Sequence, residues 1–138
     1  MAAGREIVDE LKATTLFAQV SDNSLVEAAA AGVTEVDAGQ VLAQAGDYGN
    51  GMFVVLDGQV VVELRQAQIK MGPGGFFGEL ALLVPDAERI ARVRATTPAR
   101  LLVIPRASFD ELLKTEPSFA LALLRELASR LTDVRTGS

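Results

Sequence analysis

At 138 residues, with neither cysteine nor histidine, the chain has no disulfides, no thiolate or imidazole metal ligands and no histidine general base. Hydrophobic residues make up 49%, enough for a core at a length that buries about 70% of the unfolded surface. The formal net charge of −5 speaks against nucleic-acid binding through a basic face, and no run reaches the ~20 apolar residues of a membrane span. The N-terminus also lacks the apolar core of a signal peptide. These features predict one cytoplasmic domain over residues 1–138, without nucleic-acid or membrane partners.

In chain order, residues 5–12 (REIVDELK) put Ile7, Val8 and Leu11 on one side of a helix, with Glu6, Asp9 and Glu10 on a solvated face. Any residue of Ser21-Asp22-Asn23-Ser24 can cap a second helix, and Glu27 stands three residues after Ser24 as in a capping box. The alanine-rich run that follows ends at Gly32. Residues 1–31 are thus expected to form a helical unit.

From residue 32 to 105 the pattern is β. Two apolar runs, MFVVL and QVVVEL, flank Asp57-Gly58, the signal of a tight hairpin. A second hairpin is expected near Gln66-Ala67, and RVRATT and ARLLVIP read as two further strands separated by Pro98. Arg92 and Arg94 alternate with Val93, which predicts one solvated face. Many short strands with regular turns predict an antiparallel β-barrel or sandwich rather than a parallel sheet. Gly46, Gly49, Gly58 and Gly74 read as turn residues, and Phe76 and Phe77 as core. The chain ends in a helix pair over residues 106–135, the first starting at Ser108 and the second near Pro117. Ala120, Leu124, Leu127, Leu131 and Val134 follow alternating four-three spacing, a stripe suited either to packing on the barrel or to a helix–helix dimer seam.

The segment that carries chemistry is FGELALLVPDAERIARVRA at residues 77–95. A short run of helix formers behind Gly78 presents free backbone N–H groups to an anion. Arg89 offers a planar fork that matches phosphate, while Glu79 repels phosphate and suits a sugar hydroxyl. The residues alone leave two arrangements open: Glu79 and Arg89 paired with each other, or set at the two ends of one ligand.

FGELALL followed by an arginine and VRA resembles the phosphate-binding cassette of cyclic-nucleotide-binding domains. The likeness extends over nearly the whole chain, through LFAQVSDNSLVEAAAAGV, AGQVLAQAGDYGNGMFVVLDGQVVV and IPRASFDELLKTEP. It implies an α+β fold: a jelly-roll barrel with N-terminal helices and a C-terminal helix pair. It also implies a regulatory module with no catalysis of its own. Carried over by position, Glu79 takes the ribose 2′-hydroxyl and Arg89 the cyclic phosphate. Gly78, Leu80 and Ala81 line the phosphate with backbone, and Ile90 and Ala91 follow the arginine. Val62 and Met71 are the implied walls for the base, with Arg130 or Val134 nearest as a lid. The residue after the arginine is usually small, and Ile90 departs from that pattern. Ile90 lacks the hydroxyl that often reads guanine, so cAMP is expected ahead of cGMP. The relatives that are transcription factors carry a helix-turn-helix after the last helix; this chain stops at Ser138, so a separate effector protein or the rest of a longer chain is expected to supply the output. The competing expectation is a nucleotide-free interaction module that forms a homodimer through the C-terminal helix.

Overall fold

The computed structural model describes residues 2–43, 51–63, 67–83 and 92–135. Helix α1 (Ala2–Lys12) buries Val8 and Leu11 and packs Ile7 beside them. Its end is closed by Thr14, whose hydroxyl donates to the Leu11 carbonyl at 2.6 Å and accepts from the Phe17 N–H at 3.2 Å. Leu16, Phe17 and Val20 then enter the core. Helix α2 (Asp22–Ala28) is capped by Ser21, whose side chain accepts from the Ser24 N–H, so Ser24 lies inside the helix rather than at its cap. A single 3₁₀ turn, Ala29–Ala31, ends at Gly32.

Eight strands follow: β1 (Val33–Val36), β2 (Val41–Ala43), β3 (Gly51–Asp57), β4 (Val60–Glu63), β5 (Gln68–Met71), β6 (Phe76–Phe77), β7 (Arg92–Ala95) and β8 (Ala99–Pro105). They form two four-stranded antiparallel sheets, ordered β1-β8-β3-β6 and β2-β7-β4-β5, in a jelly-roll arrangement. The first sheet is buried on both faces. Met52, Val54, Leu56, Leu102 and Ile104 meet the helices, while Val55, Phe77 and Leu101 meet Val60, Val62, Val93 and Ala95 of the second sheet. Burial on both sides is why MFVVL is a continuous apolar run instead of an alternating one.

The second expected hairpin is present, with β4 and β5 paired from Val60–Met71 to Glu63–Gln68. The first is not. β3 pairs with β8 and β6, and β4 with β5 and β7, so Asp57-Gly58 is a corner that carries the chain from one sheet to the other. Gly58 has φ +84°, and a Cβ there would stand 2.2 Å from the Pro98 carbonyl oxygen. The corner at residues 96–98 makes the same crossing beside it: the Gln59 N–H donates to Thr97 Oγ1 at 3.0 Å, and the Thr96 N–H to the Gln59 carbonyl at 3.0 Å. A glycine was demanded here by two chain crossings in contact, which local sequence cannot distinguish from a hairpin turn.

On the outer face of the second sheet, Arg92 and Arg94 both reach Glu63, at 2.8 and 3.7 Å, as their alternation with Val93 predicts. The Arg92 hydrogen bond holds the Glu63 carboxyl below its ordinary range. Glu10 is not merely solvated: its two oxygens accept from both terminal nitrogens of Arg100 at 3.0 and 3.2 Å, fastening α1 to β8.

Helix α4 (Arg106–Thr115) starts directly from Pro105, two residues before Ser108, and helix α5 (Pro117–Arg135) starts at Pro117 as expected. Phe119 on α5 stacks on Phe17 at 5.3 Å and meets Phe109 of α4 edge-on at 5.9 Å. Among the described side chains of α5, Phe119 and Leu123 are buried, and Leu127 packs partly against the same core. The four-three stripe is therefore split. Leu124 is 64% exposed and Leu127 faces the protein's own core, while the side chains of Leu131 and Val134 lie outside the described residues. Glu116, between the two helices, accepts from the Ser21 N–H at 2.9 Å and from the hydroxyls of Ser21 and Ser24 at 3.2 and 3.1 Å. That carboxylate joins the start of α2 to the α4–α5 junction.

Candidate functional site

Strand β6 ends at Gly78, whose φ of +92° turns the chain into a one-turn helix, α3 (Leu80–Leu83). The Glu79 carbonyl accepts from the N–H groups of Leu82 and Leu83 at 3.0 and 2.9 Å, which puts Glu79 at the N-cap position. Its side chain is only 3% exposed. A carboxylate buried this deeply requires compensating donors. One comes from α5: Arg130 Nη1 donates to Glu79 Oε1 at 3.0 Å. The same guanidinium donates through Nη2 to the Phe76 carbonyl at 3.0 Å and lies 4.2 Å from the centre of the Phe76 ring. Phe76 is thus both core, as expected, and a platform for an arginine.

At the other end of α3, Arg106 Nη1 donates to the Leu82 carbonyl at 3.3 Å, where a cation complements the helix dipole. α3 is held at its two ends by arginines from α5 and α4. The resemblance implied Arg130 or Val134 as nearest to the base as a lid; Arg130 bonds Glu79, and the side chain of Val134 lies outside the described residues. Sequence reasoning showed no sign of Arg106, because nothing local marks which strand-to-helix junction lies beside a helix more than twenty residues earlier.

Of the other candidate residues, Leu80 and Ala81 supply the first backbone amides of α3, which have no acceptor within a helix. Val62 is buried between the sheets, and Met71 packs half-buried against the same cluster. Arg89, Ile90 and Ala91 lie outside the described residues, as do Gly46 and Gly49. A cavity of about 360 Å³, bounded by Glu10, Thr14, Val55, Pro73, Phe76 and Glu126 among others, does not reach Glu79 or α3, and its two carboxylates disfavour a phosphate. Among the described residues, no helix is long and apolar enough to cross a membrane.

The arrangement of strand, glycine turn, buried glutamate and one-turn helix has parallels in known proteins. A family model described as the cyclic nucleotide-binding domain matches residues 33–116, more than half of the chain. A cyclic nucleotide-gated potassium channel of Rhizobium etli is 34% identical over 109 residues, which is 78% of this chain and 30% of the channel. The chain spans under a third of the length of the curated relatives it matches. Among solved structures, a protein described in a cyclic-GMP-dependent signalling pathway of bacterial phytopathogenesis is 34% identical. It superposes with a TM-score of 0.65, over 73% of this chain and 84% of its own. The catabolite activator protein of Thermus thermophilus superposes with a TM-score of 0.76 at 25% identity, over 90% of this chain and 61% of that one. The family match begins at β1 and takes in both sheets, α3 with its buried glutamate and all of α4: the chain belongs to the cyclic nucleotide-binding domain family.

Proposed function

We propose that this chain is a cyclic-nucleotide sensor module without catalysis of its own, binding cAMP in preference to cGMP. The observation that carries the reading is Glu79: an acidic side chain 3% exposed, at the N-cap of a one-turn helix, behind a glycine with positive φ. A core position of that kind would ordinarily be apolar. In the proposed complex the ribose hydroxyl donates to Glu79. The cyclic phosphate meets Arg89 and the backbone of Gly78, Leu80 and Ala81, with Ile90 and Ala91 beside it, and Val62 and Met71 wall the base. Ile90 offers no hydroxyl to guanine, which is the ground for cAMP. The cGMP pathway in which one relative was described makes cGMP the necessary comparison ligand. Output passes through α5 to a separate effector or to the remainder of a longer protein.

Isothermal titration of the purified protein with cAMP and cGMP tests the reading. Binding of cAMP is expected, with cGMP weaker. Arg89→Ala removes charge-assisted hydrogen bonds worth about 1.5–3 kcal/mol each, so affinity should fall by about 100-fold or more for a bidentate contact. Absence of heat with both nucleotides at high micromolar concentration refutes the sensor function. Full retention by Arg89→Ala refutes the phosphate role.

A second reading rests on Leu121 and Leu124, exposed at 46% and 64% on α5. An apolar edge of this kind suits pairing with the same helix of another copy, as in a nucleotide-free module that works by homodimerisation. Sedimentation of the wild type and of Leu124→Glu, each with and without cAMP, separates the two readings. A dimer that is insensitive to nucleotide and lost in the variant favours the second.

A further inference from the structure

We infer that the cavity between the end of α1 and the Pro73–Gly74 turn is a second ligand site, suited to a small organic cation: a primary ammonium or guanidinium group on a short apolar body. The site lies apart from Glu79 and α3 and stands independently of the nucleotide reading.

The cavity measures about 360 Å³, at the small end of the ~300–1,000 Å³ range of ligand pockets, which is room for a fragment-sized molecule. Leu16, Val55, Leu56 and Phe76 give it a floor of buried apolar side chains. Ala13, Thr15 and Pro73 are exposed and bring its rim to solvent. Polar groups at the floor are already satisfied. The Thr14 hydroxyl donates to the Leu11 carbonyl and accepts from the Phe17 N–H, and the Gly74 N–H donates to the Val55 carbonyl at 2.8 Å. Such a floor accommodates an apolar body and leaves no polar partner unmet.

The charged groups at the cavity are both acceptors, Glu10 and Glu126, and no lysine or arginine lines it among the described residues. Glu126 stands four residues before Arg130 on α5, the spacing at which a glutamate ordinarily pairs with a following cation. Arg130 is instead turned to Glu79 and to the Phe76 carbonyl. The Glu126 carboxylate therefore has no ion pair or hydrogen bond among the described residues. Glu10 accepts one bond at each oxygen from Arg100, which leaves each oxygen able to accept another. Arg100 is itself shared, because its cross-strand neighbours are Glu35 on β1 and Asp57 on β3. Lys12, also at the end of α1, is paired with Asp22. The local balance is thus negative, and an entering cation finds acceptors with capacity to spare. A metal ion suits the place poorly: among the described residues no group of three or more carboxylates converges to hold one. An organic cation uses both the apolar floor and the carboxylates.

Phenethylamine, 2-phenylethanol and phenylacetate share one aromatic body and differ in charge, so they serve as probes. Heteronuclear NMR of the full chain follows each titration through the backbone amides. Phenethylamine should bind in the millimolar range and shift the amides of Leu16, Val55, Gly74 and Glu126. A charge-assisted bond is about twice as strong as a neutral one, so 2-phenylethanol should bind about tenfold more weakly, and phenylacetate not at all. Glu126→Gln keeps the shape and removes the charge, and should weaken phenethylamine about tenfold. Glu126→Lys places an ammonium at the cavity and should abolish binding. Phenethylamine shifts confined to other residues, equal affinity for phenylacetate, or full retention of phenethylamine binding by both variants overturns the site. So does absence of phenethylamine binding at tens of millimolar. The cAMP titration is a separate measurement: its failure refutes the sensor function and leaves this site standing.

Discussion

Gly58→Ala is the sharpest test of the two-sheet crossing. The residue has φ +84°, where an L side chain costs about 1–2 kcal/mol. The added Cβ would stand 2.2 Å from the Pro98 carbonyl oxygen and 2.7 Å from the Ala99 Cα. Both are backbone atoms at the start of β8, and Ala99 is paired with Val36 of β1, so they cannot rotate away as a side-chain tip would. Overpacking of this kind adds about 1–3 kcal/mol. The total, about 2–5 kcal/mol, is a large share of a typical stability of about 5–15 kcal/mol. At ~4 °C per kcal/mol for a chain of this size, Tm should fall by about 8–20 °C. Two controls divide the cost. Gly39 also has positive φ, +89°, but nothing lies within 4 Å of a Cβ there, so Gly39→Ala carries the backbone cost alone. Gly72 has open space and no positive φ, so Gly72→Ala should be neutral or slightly stabilising through the unfolded chain. Urea unfolding followed by far-UV circular dichroism ranks the three. If Gly58→Ala costs no more than Gly39→Ala, the close contact between the two corners is wrong.

Glu116 carries a pH dependence. The Ser21 N–H chiefly holds its carboxyl below the ordinary glutamate value; desolvation, the next largest effect, opposes it, and the hydroxyls of Ser24 and Ser21 add to the lowering. A depressed folded-state pKa gives stability that is present above the unfolded value and lost as pH falls through the folded one. Urea midpoints measured from pH 6 to pH 3 should therefore drop more steeply for wild type below about pH 4.5 than for Glu116→Gln; parallel curves exclude the role. Phe119→Ala removes a fully buried ring that contacts both Phe17 and Phe109, and should cost about 3–5 kcal/mol by denaturant unfolding. A cost under about 1 kcal/mol would mean that the three rings do not pack together.

The sequence was legible wherever one residue's conformation decided the outcome, and much less so where two distant segments met. Gly58 announced a turn correctly, since positive φ is a local property. Its neighbours announced the wrong partner, because which strands pair is decided by what each face must bury. Ser21 and Ser24 are equally good caps in isolation. Ser21 takes the cap, and Glu116, ninety-five residues away in sequence, bonds its backbone N–H and both serine hydroxyls. The buried glutamate was readable from its glycine and its helix formers. Arg130 was readable as a residue near the site but not as a partner of Glu79, since its contact spans 51 positions and depends on where α5 lies relative to α3. Arg106 left no local signal, because an arginine at the first position of α4 serves the dipole of a different helix.

Strand β8 also sets an order of events during synthesis. It lies between β1 and β3, and neither of those pairs with the other. On a ribosome, therefore, β1 and β3 emerge with no long partner and wait until residues 99–105 have been made. The β4–β5 ribbon, closed by a few residues, can form as soon as it appears. From residue 56 until residue 105 has been made, the nascent chain carries an apolar, β-prone segment, MFVVL, without its main partner strand. Holding that segment apart from its neighbours is work for whatever receives the chain at the exit tunnel. A stalled or truncated product that ends before Ala99 lacks the one strand that joins β1 to β3, and is bound for aggregation or proteolysis rather than a smaller fold.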